Sequence, residues 1–503
     1  MGVDQLVADQ LVVGLDLGTT RCKAVAVAPD GQVAASAASA YPLNSPHPGW
    51  AEQSAQAVWQ GAAGALIELY AQVPAAKLAG ISLSGAMHSL LPVDAAGEPL
   101  APAATWADQR ASAQAQQLRQ RAEGQGLYQR TGCPLQAPYH VAKLRWWQEA
   151  APEVARRAAR FVTLKDYVLW RLAGTWATDQ GMASTTGLFD IHRLAWDEVA
   201  LGLAGVTANQ LPALVPPAEV VGAITPASAA ATGLPAGLPV VPGTSDGGTA
   251  NLGSGAVRAG QSVISMGTSG AVRRVVAQPL LDPQQRTWCY VLLEGRWFAG
   301  GAINNAGLAL QWVRERFYAD VAGDEGYARL SAEAGEVAPG AGGVHFLPYF
   351  TGERSPYWNP EARALLNGLG LDHTRAHVAR AVLEGVAYCL ADVWEVLIAE
   401  VPASGEVRLT GNVTHNPVWA QIVADVLGVV LNADEAADAS ALGAALLGHL
   451  ALGHVRQLEE AAAGLPAGQT YQPDPQRHEF YRAGHAAFQD LYQTTLARVS
   501  PSK

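Results

Sequence analysis

Leu11-Val12-Val13-Gly14-Leu15-Asp16-Leu17-Gly18-Thr19-Thr20 is the stretch that decides how the chain is read. Its first five residues are apolar or small, which is the composition of a buried central strand. Asp16 then stands at the strand's end, and Gly18 tightens a turn that carries two hydroxyls. Lys23 to Ala28 is a second apolar run, and Pro29-Asp30-Gly31 is a turn, because proline presets φ and glycine accepts positive φ. Gln32 to Ser36 continues the meander. Trp59, Ala63, Leu66, Ile67 and Tyr70 recur at helical spacing, and Ala79 to Ser84 is the next strand. Strands interleaved with amphipathic helices predict an α/β architecture.

The same unit returns half a chain later. Ser262-Val263-Ile264-Ser265 is a strand, Gly267-Thr268-Ser269-Gly270 a turn, and Ala271 to Val276 the return strand. A repeat so distant marks a duplicated domain rather than a solenoid, whose period is far shorter. The length of 503 residues agrees, since single cores stop growing near roughly 250–300 residues. We therefore expect two lobes, residues 1–255 and 256–503, divided in the glycine-rich stretch Gly253 to Gly260. Ala439 to Gly453 is Ala/Gly/Leu-rich and shorter than the roughly 18 residues of a membrane span. It predicts a buried helix packed through small residues. Tyr481, His485, Phe488 and Tyr492 form a helical stripe that docks a terminal helix.

Composition narrows the function classes. A formal net charge of -11 leaves no basic footprint for nucleic acid or anionic membrane, so any positive pocket must be built locally. Cys22, Cys133, Cys289 and Cys389 are scattered, with no C-x-x-C pair. This argues against a zinc site or a disulfide framework and suits a reducing compartment. The N-terminus, with Asp4 and Asp9, lacks a positive region followed by an apolar run, so no signal peptide is read. The expected location is cytoplasmic. The sequence leaves open a homodimer.

Asp16-Leu17-Gly18-Thr19-Thr20 can present backbone N–H groups and hydroxyls to a phosphate while Asp16 holds Mg²⁺, directly or through water. Alone, the motif reads equally well as an ordinary β-turn. Its echo at Gly267 to Gly270 turns the pair into a clamp for a triphosphate, one half per lobe. Neither G-x-x-x-x-G-K-[ST] nor a G-x-G-x-x-G after the first strand is present, which disfavours P-loop and Rossmann modes. Val241-Pro242-Gly243-Thr244-Ser245-Asp246-Gly247-Gly248 sets one carboxylate in a glycine-rich loop. Phosphoryl transfer to a hydroxyl needs such a group to orient the hydroxyl and accept its proton, although an Asp-Gly turn is the simpler reading of the segment by itself. Ser84-Gly85-Ala86-Met87-His88-Ser89 and Thr105-Trp106-Ala107-Asp108-Gln109-Arg110 supply polar groups and an aromatic surface, which suit a polyol. Singly, His88 reads as an interior histidine and Trp106 as core. Arg110 and Lys165 suit either an anionic substrate or surface ion pairs.

Taken in order, these motifs resemble the FGGY family of carbohydrate kinases. The resemblance adds Gly300-Gly301-Ala302 with Gln311-Trp312, Pro348-Tyr349-Phe350-Thr351-Gly352-Glu353-Arg354-Ser355-Pro356, and Ala441-Leu442-Gly443-Ala444-Ala445, and runs from about Leu11 to Tyr492. It implies two actin-like (ribonuclease H-like) ATPase lobes with sugar and ATP in the cleft between them. It implies Asp246 as catalytic base and Asp16 near Mg²⁺. Gly18, Thr19 and Thr20 would lie by the phosphates, with Gly267, Thr268, Gln311, Gly411 and Asn416 around the nucleotide. Met87, His88, Trp106, Asp108 and Asp246 would line the sugar site. Ala86-Met87-His88-Ser89 with Trp106-Ala107-Asp108 looks most like the gluconate kinase branch, which implies phosphorylation of D-gluconate to 6-phospho-D-gluconate. Xylulose kinases usually carry Gln-Met-His-Gly and Trp-Asn-Asp at these places, and glycerol kinases an Arg-Glu pair at Met87-His88. The rivals are a xylulose or other polyol kinase of the same family, and a catalytically silent sugar sensor or actin-like assembly protein. One departure stands out: Gly411 is followed by Asn412, where the family usually has a second glycine.

Overall fold

The computed structural model describes residues 10–321, 323–399, 405–433, 438–465 and 468–496. Asp4 and Asp9 lie outside them. Two sheets organise the chain. The first contains β1 (Leu11–Leu17), β2 (Arg21–Val27), β3 (Val33–Ala40), β4 (Leu78–Gly85), β5 (Gly222–Ala223) and β6 (Pro239–Ser245), in the order β5-β6-β4-β1-β2-β3. The second contains β7 (Ser262–Met266), β8 (Gly270–Val276), β9 (Trp288–Leu293), β10 (Arg296–Ile303), β11 (Val407–Thr410), β12 (Leu431–Ala433) and β13 (Thr470–Tyr471), in the order β9-β10-β8-β7-β11-β12-β13.

The duplication is visible in the pairing. In the first sheet β1, β2 and β3 form an antiparallel meander, and β4 and β6 add parallel strands on the other side of β1. In the second, β7, β8 and β10 make the meander, and β11 and β12 add parallel strands beside β7. The architecture is the expected pair of actin-like (ribonuclease H-like) α/β lobes.

Period-two alternation divides β1 between two layers. Leu11, Val13 and Leu15 join the cluster around Trp59 and Leu66 of α1 (Ala55–Tyr70). Val12 joins the cluster around Ala445 and Leu446. Ala439–Gly453 is the anticipated buried helix, α8 (Ala439–Ala451). The terminal helix α9 (Pro475–Thr495) buries Tyr481, His485, Phe488 and Tyr492, the predicted stripe. Its neighbours include α6 (Arg375–Ile398) and α7 (Pro417–Leu427).

The lobes exchange a helix. α3 (Asp246–Gly253) follows β6 of the first sheet, yet Gly247 and Gly248 lie against Phe298, Arg273 and Leu292 of the second. α8 follows β12 of the second sheet, yet packs on β1, β4, β2 and β6 of the first. The two exchanged helices meet along a seam without side chains. A Cβ at Gly443 would lie 1.9 Å from the Thr249 carbonyl oxygen, and one at Gly253 1.9 Å from that of Ala439. A Cβ at Gly14 of β1 would lie 1.8 Å from the Ala441 carbonyl oxygen.

The seam is testable. Gly443→Ala forces backbone apart and is expected to cost about 1–3 kcal/mol, lowering the calorimetric midpoint by several degrees. Gly202→Ala is the control, because no atom lies within 4 Å of its would-be Cβ in the exposed part of a helix. It should hold or slightly raise the midpoint, since alanine is the better helix former.

Candidate active site

The site begins where β1 and β4 end side by side. Asp16 pairs in register with Ser84, whose hydroxyl donates to Asp16 Oδ1 at 2.7 Å and meets the Thr249 hydroxyl at 2.8 Å. The strand end is thereby tied to α3. Burial raises the Asp16 carboxyl above its ordinary range, against the lowering effects of the Ser84 hydrogen bond and the Lys23 charge. Lys23, opposite Asp16 on β2, pairs with Asp438 just before α8.

Asp246 opens α3. Ser245 caps the helix by accepting from the Gly248 N–H, and the Gly247 N–H donates to Asp246 Oδ1 at 2.8 Å. Burial first, and the neighbouring Asp16 charge second, push the Asp246 carboxyl up to about 7. That is the range in which a carboxylate works as a general base at neutral pH. Arg273 of β8 stands on the second-lobe side of this helix start, its Nε donating to Asn251 Oδ1 at 3.0 Å and Nη2 to Ser265 Oγ at 3.1 Å. Burial drives the Arg273 guanidinium down to about 10, with the Asp246 charge acting against that fall.

Met87 and His88 follow β4. A Cβ at Gly247 would come within 2.6 Å of Met87 Cε, so the glycine beside Asp246 makes room for that side chain. His88 holds φ at 65°, a backbone conformation that a non-glycine residue keeps only when its surroundings enforce it. Its Nδ1 donates to the Thr185 carbonyl at 2.8 Å, which leaves Nε2 as the acceptor nitrogen, and its carbonyl accepts from Lys143 Nζ at 2.6 Å. Burial drives the imidazole down to about 3, so it is neutral at physiological pH. Lys143 also donates to the Thr105 and Ala104 carbonyls at 2.7 and 3.2 Å, stitching the His88 loop to the segment that carries Trp106. The Trp106 indole N–H donates to Thr19 Oγ1 at 2.9 Å, and the Arg354 guanidinium carbon stands 5.5 Å from its ring centroid. Thus Met87, His88, Trp106, Thr19, Asp16 and Asp246 belong to one neighbourhood.

Around the second turn, Gly267 and Thr268 dock on the start of α4 (Gly307–Phe317), which carries Gln311. The Gly307 N–H donates to the Gly267 carbonyl at 2.8 Å, and the Leu308 N–H to that of Thr268 at 3.1 Å. The would-be Cβ of Gly267 meets nothing within 4 Å, and Thr268 is exposed, so this backbone faces open space. Gly411, at φ 93°, sits against Met266, and a Cβ there would lie 2.6 Å from the Met266 carbonyl oxygen. Asn412, itself exposed, instead begins a 3-10 turn at ordinary φ, so the backbone makes no demand for a second glycine.

Several side chains read as site residues have protein partners of their own. Asp108, expected at the sugar site, is engaged within its own loop. It is fully buried, and its oxygens accept from the Ala51 and Arg110 N–H groups and from the Arg110 guanidinium, so it braces its own loop. Asn416 is likewise occupied: its Oδ1 caps α7 by accepting from the Trp419 N–H, and its Nδ2 donates to Ser331 Oγ at 2.8 Å. Gln311 donates to Glu315 and is exposed. Arg110 and Lys165 are neither surface pairs nor free cations. Arg110 is held by Glu52 and Asp108 with its guanidinium 3.7 Å from the Trp50 ring centroid, and Lys165 is sealed against Asp179. Sequence reasoning missed Lys143 and Arg273. Lys143 lies on the buried stripe with Val141, Leu144 and Trp147, and Arg273 interrupts an apolar strand. In each case a charge at a core position was the available signal.

Profiles of the FGGY family of carbohydrate kinases match both halves, the N-terminal domain over residues 11–253 and the C-terminal domain over 262–452. The chain belongs to this family. It is 34% identical over 472 residues to the gluconokinase of Bacillus subtilis (strain 168), covering 92% of this chain and 91% of that one. Gluconate kinase from Lactobacillus acidophilus superposes with a TM-score of 0.93 at 29% identity, covering 97% of this chain and 99% of that structure. The ligand-bound xylulose kinase of the same organism gives 0.93 at 28% identity, with 98% and 100% covered. This FGGY protein is an ATP-dependent sugar kinase, and no described helix is long and apolar enough to cross a membrane.

The electrostatics predict a titration. A carboxyl signal absent from Asp246→Asn protein should titrate near pH 7 in infrared difference spectra. In Asp16→Asn it should move to lower pH, because removing the repelling charge eases ionisation of Asp246. A signal at the ordinary carboxylate position in the unmutated protein would contradict the burial argument.

Proposed function

We propose that this kinase transfers the γ-phosphate of ATP to the 6-hydroxyl of D-gluconate, giving ADP and 6-phospho-D-gluconate. The observation that carries the chemistry is Asp246: a buried carboxylate at a helix start, beside Met87, tuned to about 7. The choice of gluconate is supported by the likeness to proteins named gluconokinase and by Ala86-Met87-His88-Ser89 with Trp106-Ala107. Xylulose is the second reading, because a xylulose kinase structure is matched as well.

Asp246 orients the attacking hydroxyl and accepts its proton. His88 Nε2 is the acceptor for a substrate hydroxyl, and Trp106 supplies a flat apolar wall fixed through Thr19. Asp16 fits a magnesium ion: Ser84 uses its Oδ1, while Oδ2 faces the side chain-free Gly18, 3.9 Å from that residue's would-be Cβ. No group of three or more His, Cys, Asp or Glu side chains able to hold a metal exists among the described residues. One carboxylate with waters and substrate phosphates is an ordinary way to hold Mg²⁺. Bound MgATP would supply the electrophilic phosphorus and neutralise its oxygens. Thr19, Thr20 and Thr268 offer backbone and hydroxyl donors to those phosphates, while the Gly18 and Gly267 N–H groups close the two turns by donating to the Arg21 and Ser269 carbonyls. All four cysteines are free and buried, which suits the reducing cytoplasm. A silent sensor would have no use for a base tuned in this way.

Asp246→Asn should retain gluconate binding by calorimetry and lose about 10²–10⁴-fold in kcat, the usual worth of a positioned base. Near-normal turnover would remove Asp246 from the chemistry. In the unmutated enzyme kcat/KM should fall as pH drops through about 7, where protonation disables the base.

A panel of sugars in a coupled ADP-release assay tests the substrate. Gluconate should exceed xylulose, ribulose and glycerol in kcat/KM. A best rate with xylulose would move the chain to the second reading while leaving its family unchanged.

A further inference from the structure

The acidic chain must find its own cation for an acidic substrate. Almost every buried charge in a folded protein has a counter-charge, and two enclosed arginines here show the rule. Arg110 is paired with Asp108 and Glu52, and Arg380 with Glu384. Arg273 has no such contact. It is 7% exposed, it makes no ion pair among the described residues, it feels the Asp246 charge only from beyond ion-pair distance, and its two hydrogen bonds go to the neutral Asn251 and Ser265. Its Nη1 makes no hydrogen bond among the described residues.

Its position matters as much as its solitude. The would-be Cβ of Gly247 lies 3.8 Å from Arg273 Cδ and 2.6 Å from Met87 Cε, so Arg273 and Met87 converge on the residue after the catalytic Asp246. A guanidinium is expensive to bury without an anion and offers planar, two-pronged donors that match a carboxylate. Asn251 and Ser265 fix its head without neutralising it. Arg354 is the other cleft arginine that makes no ion pair among the described residues. It stands over the Trp106 ring, whose face supplies part of a counter-charge, and its Nη2 donates to the Ile303 carbonyl.

We infer that Arg273, reaching from the second lobe to the base helix of the first, binds the carboxylate of the sugar-acid substrate and sets the preference for acids over neutral sugars. The inference rests on the gluconate reading above. It also gives the acid a means of bridging the lobes, since the arginine belongs to β8 and the base to α3. The alternative destination for the same charge is the transferring phosphoryl group, and the two make different predictions.

Arg273→Met and Arg273→Lys should be compared with the unmutated enzyme on D-gluconate, its neutral isostere D-gluconamide, and D-xylulose. Gluconate binding without nucleotide should weaken about 10- to 150-fold in Arg273→Met, the worth of a charged hydrogen bond. The ratio of kcat/KM for gluconate to that for xylulose should fall by the same factor, carried by KM. Arg273→Lys should lie between. The unmutated enzyme should bind gluconamide about as weakly as Arg273→Met binds gluconate, and the mutation should not weaken gluconamide further. The comparison of gluconamide with gluconate on the unmutated enzyme needs no mutant to fold. Equal losses of kcat on gluconate and xylulose, measured well above pH 7 where Asp246 is ionised with or without the Arg273 charge, would assign Arg273 to the phosphoryl group and overturn the proposal. Unaltered gluconate affinity in Arg273→Met, with selective loss in Arg354→Met, would overturn it in favour of Arg354. An unmutated enzyme that fails to bind gluconate would overturn the gluconate reading and the anchor together, whereas binding that ignores residue 273 overturns the anchor alone.

Discussion

Everything at the centre of this molecule depends on one backbone contact, the glycine seam between α3 and α8. α8 belongs in sequence to the second lobe and packs on the first sheet, and α3 of the first lobe sets Gly247, Gly248 and Asn251 against side chains of the second sheet. The approach is so close that a methyl group at Gly443, Gly253 or Gly14 would overlap a carbonyl oxygen. Such contacts tolerate little sliding, because interiors are close-packed and resist small displacements. The seam therefore acts as a fixed floor. Asp246 is the first residue of α3, and Ser440, near the start of α8, donates to its carbonyl at 3.3 Å. The base is thus held against that floor.

The same floor creates the electrostatic problem that the site exploits. It places Asp16 and Asp246 in one poorly solvated region, linked through Ser84 and Thr249. Burial raises both carboxyls, and the Asp16 charge raises that of Asp246 further. The surroundings break the symmetry. Asp16 has the Ser84 hydroxyl and the Lys23 charge to favour its ionised form, which suits a magnesium ligand. Asp246 has the weaker support of the Gly247 N–H and Arg273, and remains near neutrality, which suits a base. Two carboxylates driven apart by environment are a recurrent route to divided roles in catalysis.

The fold was legible because its signals are local. The β1 run, its turn and the echo at Gly267 depend on residue type and short spacing, and α8 and α9 announced themselves by composition and stripe. The helix exchange was not legible, since nothing local in Ala439–Ala451 says which sheet it covers. The chemistry-bearing turns were legible for the same local reason. For Asp108 and Asn416 the motif fixes which groups are present, while tertiary neighbours decide which are still free. Arg110 arrives from two residues away and Ala51 from a distant loop to occupy Asp108, and Ser331 occupies Asn416. Lys143 and Arg273 escaped notice for the opposite reason. Their roles lie wholly in long-range contacts, and no spacing rule marks them.

This division explains how one scaffold serves kinases of different sugars. Gluconate and xylulose kinase structures superpose on the chain equally well, so the fold cannot carry the choice. The parts expected to act on phosphate sit on strand ends and helix starts, where the core fixes them: Asp16 on β1, Asp246 on α3, Gly267 after β7. The parts expected to meet the sugar sit on two loops, and those loops are held by residues other than the ones that face the substrate. Lys143 grips the carbonyls of His88, Ala104 and Thr105, and the Asp108–Arg110 pair anchors the other side of Trp106 to Ala51 and Glu52. Ala86, Met87 and Ala107 take no part in those braces. Substitution at such positions alters the pocket wall without loosening the loop, whereas substitution at Lys143 or Asp108 loosens the loop whatever the sugar. Specificity is free to vary in this architecture because support and recognition are assigned to different side chains.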